Sequence, residues 1–151
     1  MTKQLIVAVF GNVDLAQKAA RDFDALSQKD VGFTIENGVI AEKDAAGKLA
    51  LLGAETHPFW GGVVGAITGG LLGMLGGPVG AVAGMTAGAS TGLIADTAGN
   101  TLLDAEFVEM VSAKLAPGSV AVILEAKEAT PFSVDNVVTG FGGTVFRNAL
   151  G

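Results

Sequence analysis

Residues 58–95 read PFWGGVVGAITGGLLGMLGGPVGAVAGMTAGASTGLIA, and the division of the chain turns on this stretch. It holds 12 of the 23 glycines and none of the 9 Lys and Arg or 15 Asp and Glu residues. Its glycines are in register. Gly61, Gly65, Gly69, Gly73 and Gly77 are spaced by four, and so are Gly76, Gly80, Gly84, Gly88 and Gly92. Gly76-Gly77-Pro78 lies between the two series as a natural turn, with Pro78 at the first position of a second helix. The spacing predicts two antiparallel helices, roughly 59–75 and 78–95. They form a glycine-zipper hairpin, 58–96, inserted into a discontinuous body made of 1–57 and 97–151.

A glycine inside a helix costs about 1 kcal/mol relative to alanine, so five in one helix cost about 5 kcal/mol. A stripe of glycines one turn apart offsets that cost by leaving a groove without side chains. Two backbones can then approach closely, gaining dispersion and weak Cα–H···O contacts. Such small-residue spacing is usual at membrane helix interfaces. The first helix is apolar through Phe59, Val63, Val64, Ile67, Leu71, Leu72 and Leu75, and Trp60 is placed as an interfacial anchor. At about 1.5 Å per residue it reaches about 26 Å, short of a hydrocarbon core of about 30 Å. The second helix carries Thr86, Ser90 and Thr91. Two destinations stay open: a hairpin in the bilayer, with the body held on one side, or burial inside a soluble assembly.

Outward from the insert, the body alternates strands and helices. Residues 3–10 (KQLIVAVF) are a short, β-branched apolar run, read as a buried strand. Asn12 can cap a helix over 13–28, whose apolar face carries Val13, Ala16, Ala19, Ala20, Phe23 and Leu26. Alternation predicts a strand over 32–43, with a turn at 44–47 and a hairpin return over 48–55. Beyond the insert, Thr101 to Asp104 resembles a capping box. Leu103, Phe107, Val111 and Leu115 form a helical stripe that Pro117-Gly118 ends. Residues 119–126 (SVAVILEA) read as a central strand, 131–140 as a short helix, and 144–148 as an edge strand. The expected fold is α+β. Its first six body elements, β-α-β-β-α-β, match a ferredoxin-like split β-α-β pattern, and the closing α-β pair is an addition.

The chemistry excluded is as informative. Of 151 residues only 16% are charged, the net charge is -6, and there is no cysteine. Nucleic acid is not an expected partner, because phosphate binding needs clustered Lys and Arg. Zinc–thiolate sites and thiol catalysis are ruled out. The glycine stretch lacks GxxxxGK[ST] and GxGxxG, so it is no phosphate loop. His57 is the single histidine and has no triad or ligand set around it. The carboxylates Glu36, Glu42, Asp44, Glu106, Glu109 and Glu125 are scattered and read as solvated surface. No catalytic, cofactor-binding or metal-binding residue is assigned and no cofactor is expected. Met1 to Gln4 run directly into the first strand without signal-peptide features, so the chain is expected to start in the cytoplasm.

Residues 5–26 (LIVAVFGNVDLAQKAARDFDAL) resemble the first β-α unit of bacterial general-stress and heat-induced stress proteins. Nearly the whole chain resembles a bacterial domain-of-unknown-function family of predicted membrane proteins. Its members similarly run from LIVAVF (5–10), through AEKDAAGKL (41–49) and GGLLGMLGGPVGAVAG (69–84), to GGTVFR (142–147). The resemblance implies membrane association and a stress role, and brings no catalytic residues. The resulting expectation is a non-enzymatic, self-assembling, membrane-associated protein, oligomerising through its zipper glycines. It would lie at the bacterial inner membrane with its body on the cytoplasmic side. The alternative is a cytoplasmic oligomer that binds a ligand and buries the hairpin.

Overall fold

The computed structural model describes residues 3–29, 32–51, 66–75 and 103–150. Within them the apolar runs are strands and the periodic segments helices. In chain order these are β1 (Lys3–Phe10), α1 (Val13–Lys29), β2 (Phe33–Lys43), β3 (Leu49–Leu51), α2 (Ala66–Met74), α3 (Ala105–Lys114), β4 (Val120–Glu128), α4 (Phe132–Gly140) and β5 (Thr144–Ala149). The fold is α+β. Its five strands form one sheet in which every neighbouring pair is antiparallel, in the order β3-β2-β4-β1-β5.

That order corrects the expected grouping of elements. β4 lies between β1 and β2, which run parallel to each other on either side of it. Among the described residues β3 pairs with the end of β2, through Leu49 to Leu51, and stands at one edge. β4, nine residues long and buried along almost all of its length, fills the centre. The closing α-β pair is no appendage, because β5 pairs with β1 along Gln4 to Val9 and forms the opposite edge.

Successive side chains of a strand point to opposite faces, and both faces of this sheet are covered. On one, Ile6, Ala8, Phe10, Val122 and Leu124 pack with Ala16, Ala19, Ala20 and Phe23 of α1 and with Val134 and Val138 of α4. On the other, Leu5, Val7, Val9, Ala121 and Ile123 pack with Leu71 and Leu72 of α2 and with Phe107 and Val111 of α3. Burial on both faces explains why β1 and β4 read as unbroken apolar runs rather than alternating ones.

The connections follow local chemistry. Asn12 Oδ1 accepts from the Leu15 N–H at 2.9 Å, capping α1 as the sequence predicts. In the β2–β3 turn, Asp44 Oδ1 accepts from the N–H groups of Ala46 and Lys48, both at 2.9 Å, and Gly47 takes φ +84°. The capping box differs from expectation. α3 begins at Ala105, so Asp104 is itself the cap position, and its side chain makes no cap bond. Instead the Asp104 N–H donates to Asn148 Oδ1 of β5 at 2.9 Å, which ties the start of α3 to the sheet edge. Leu103 and Leu115 lie just outside α3, yet they share its buried stripe with Phe107 and Val111.

Candidate functional site

α2 is the part of the glycine-rich segment that the structure describes, and its surroundings form the candidate site. Its sequence, AITGGLLGM, has three glycines in nine residues and no charged side chain to support the helix ends. Intrinsic propensity therefore does little to hold it. The sheet does. Thr68, Leu71, Leu72 and Leu75 recur at i, i+3, i+4 and i+7, and all four are buried. That spacing is one face of a helix. Leu71, Leu72 and Leu75 belong to the same core cluster as Leu5, Val7, Val9 and Ile123 of the sheet.

The zipper glycines within α2 are Gly69 and Gly73. Each follows a member of the buried stripe by one residue, a rotation of about 100° in an α-helix. The aliphatic stripe and the glycine stripe thus leave the helix in different directions. Trp60, Gly61, Gly65, Gly76, Gly77, Gly80, Gly84, Gly88 and Gly92 lie outside the described residues, as do His57 and the expected second helix.

Where α2 meets the sheet there is a polar contact that sequence reasoning missed. Glu125, on β4, is only 4% exposed and is not the solvated carboxylate expected. Its Oε2 accepts from the Thr68 hydroxyl at 2.7 Å. Its Oε1 lies 3.4 Å from Lys3 Nζ, and Lys3 also faces Glu36 at 3.6 Å. The line Thr68–Glu125–Lys3–Glu36 therefore joins α2, β4, β1 and β2. The available signal was the position of Glu125 inside SVAVILEA: a charge in a strand apolar on both faces must find a donor and a counter-charge.

A second charged cluster lies on the opposite face. Arg147 of β5 donates from Nε to Glu128 Oε1 at 2.5 Å, and its Nη1 is 2.7 Å from Asp135 Oδ1 of α4. Nη2 donates to the Pro131 carbonyl at 3.3 Å. Burial alone disfavours the guanidinium charge, but hydrogen bonds and attraction from Glu128 and Asp135 outweigh it and raise the pKa. The cluster locks β5 and the start of α4 to β4. Beside it, Thr130, Pro131, Phe132, Asp135, Asn136 and Thr139 line a shallow open depression. It offers no enclosure for a small ligand.

Among the described residues no three His, Cys, Asp or Glu side chains are grouped to hold a metal ion. No helix among them is long and apolar enough to cross a membrane. The geometry brings together a glycine-bearing helix and a buried polar anchor.

A family model described as Protein of unknown function (DUF1269) covers residues 58–151. It starts where the charge-free, glycine-rich segment starts and continues through α3, β4, α4 and β5. No curated protein and no solved structure matches the chain.

Proposed function

With a family model spanning more than half its length, the chain belongs to the DUF1269 family, and from that premise we propose that it is a non-enzymatic, self-associating protein whose glycine stripe is the contact between helices of the assembly. One observation carries the reading: Leu71, Leu72 and Leu75 of α2 are buried in the core cluster of the sheet, and Gly69 and Gly73 lie about 100° of helix rotation away from that stripe. A glycine stripe turned away from the aliphatic one suits close backbone packing, the gain that would justify three glycines in nine helical residues. The expected contact set is Gly61, Gly65, Gly69, Gly73 and Gly77 against Gly80, Gly84, Gly88 and Gly92, within one hairpin and between copies.

Two settings are distinguished by separate observations. Leu71, Leu72 and Leu75, which a membrane hairpin would turn toward lipid, are spent on the sheet. This favours a soluble assembly with the hairpin inside it. The absence of charge across 58–95, with Trp60 near one end, favours association with the bacterial inner membrane, the body remaining on the cytoplasmic side.

The test is the mass of the particle. Gly69→Leu combined with Gly84→Leu is expected to reduce the assembly to monomers or small oligomers on light scattering, with the circular dichroism of the body retained. An unchanged mass defeats the proposal. Washing cell membranes with alkaline carbonate separates the settings. Release without detergent assigns the soluble assembly, and retention until detergent is added assigns the bilayer.

A further inference from the structure

We infer that the Thr68–Glu125 bond is the seat of the glycine-rich helix: it fixes the register of α2 on the sheet and so sets the direction in which the glycine stripe faces. The consequence for assembly rests on the self-association reading above; the seat itself does not.

Aliphatic contacts are non-directional. Leu71, Leu72 and Leu75 meet a wall of Leu5, Val7, Val9 and Ile123. Sliding α2 by one turn, about 5.4 Å, would exchange one aliphatic neighbour for another. Thr68 and Glu125 do not permit the slide. Both carboxylate oxygens are engaged, Oε2 by the Thr68 hydroxyl of α2 and Oε1 by the Lys3 ammonium of β1. Shifting α2 would take the Thr68 hydroxyl away from Oε2, and a buried charged acceptor that loses its bond is strongly disfavoured. The same shift would leave the Thr68 hydroxyl, now 1% exposed, without its acceptor.

The two ends of the bond are unequal, and this makes it a seat rather than one contact among many. Glu125 sits on the central strand, paired with β1 on one side and β2 on the other. Thr68 sits on a glycine-rich helix that its own sequence barely supports. The sheet therefore positions the helix. A rotation or slip of α2 would swing Gly69 and Gly73 with it, and a glycine groove packs only when its bearing matches that of its neighbour.

Thr68→Val keeps the side-chain shape and removes the hydroxyl, whereas Thr68→Ser keeps the hydroxyl. Hydrogen–deuterium exchange on the full chain reads α2 and the strands separately. In Thr68→Val the amides of α2 are expected to exchange about tenfold faster than in the wild type, with β1 and β4 unchanged. Thr68→Ser is expected to return to near wild-type protection. Wild-type protection of α2 in Thr68→Val overturns the seat, and so does equal loosening in both variants, which would assign the hold to shape rather than to the hydroxyl. Light scattering on the same samples tests the consequence. Loosened α2 with a broadened or smaller particle supports it, and loosened α2 with an unchanged particle overturns it. If Gly69→Leu with Gly84→Leu leaves the particle intact, self-association through the zipper falls, and the seat is then decided by exchange alone.

Discussion

The two faces of the sheet are held by different means. On the α1 and α4 face, α1 is a 17-residue helix with a side-chain cap, an Asp14–Lys18 pair at 3.1 Å and a buried row ending in Phe23. It carries its own start signal and its own amphipathic pattern. On the α2 and α3 face, the described part of α2, Ala66–Met74, carries three glycines and no charge, and its hold comes from the sheet beneath it. A helix with strong local encoding tolerates loss of one contact. A helix without it depends on where its few anchors fall, and for α2 one of those anchors is polar.

The comparison can be broken by cutting equally into each side. The largest effect is expected from Phe23→Ala, which removes a fully buried aromatic from the α1 face. It should cost about 3–5 kcal/mol, read as a loss of global stability in urea. Leu72→Ala empties the corresponding place under α2. Its cost in global stability should be about 2 kcal/mol, at the low end for such truncations, because a weak helix can shift toward the gap. Its signature is local: faster amide exchange in α2, with α1 unchanged. Equal global losses without local loosening would erase the proposed difference between the faces. The smallest effect is expected from Asn12→Ala, which removes the cap of α1 and should cost about 1 kcal/mol on thermal unfolding.

Much of this fold was legible in the sequence because its signals are local. The run at 3–10, the stripe of Ala16, Ala19, Ala20 and Phe23, the Asn12 cap and the turn at 44–47 each depend on neighbours within one turn or one strand. The pairing of strands is not local. Nothing in periodicity tells that β5 returns to β1, or that β4 rather than the β2–β3 hairpin enters the middle. Of the expected capping box, Thr101 lies outside the described residues, and Asp104 stands at the cap position of α3 rather than within the helix. The Asp104 N–H finds its acceptor in Asn148, 44 residues away, a tertiary contact that no local pattern announces. The candidate site divides in the same way. The glycine spacing is visible at once, but the Thr68–Glu125 contact joins residues 57 apart. Only a carboxylate stranded in an apolar strand hinted at it.

By itself, the sequence determined which of the described segments are helices and strands, that the chain lacks cysteine, and that one region carries glycines at four-residue spacing without charge. These follow from side-chain periodicity and backbone freedom, properties each segment has alone. Tertiary structure decided the order of strands, the covering of both sheet faces and the burial of Glu125 beneath the glycine-rich helix. Those outcomes depend on which distant surfaces exclude water from each other, and a buried charge then admits only the arrangement that supplies its donor and counter-charge.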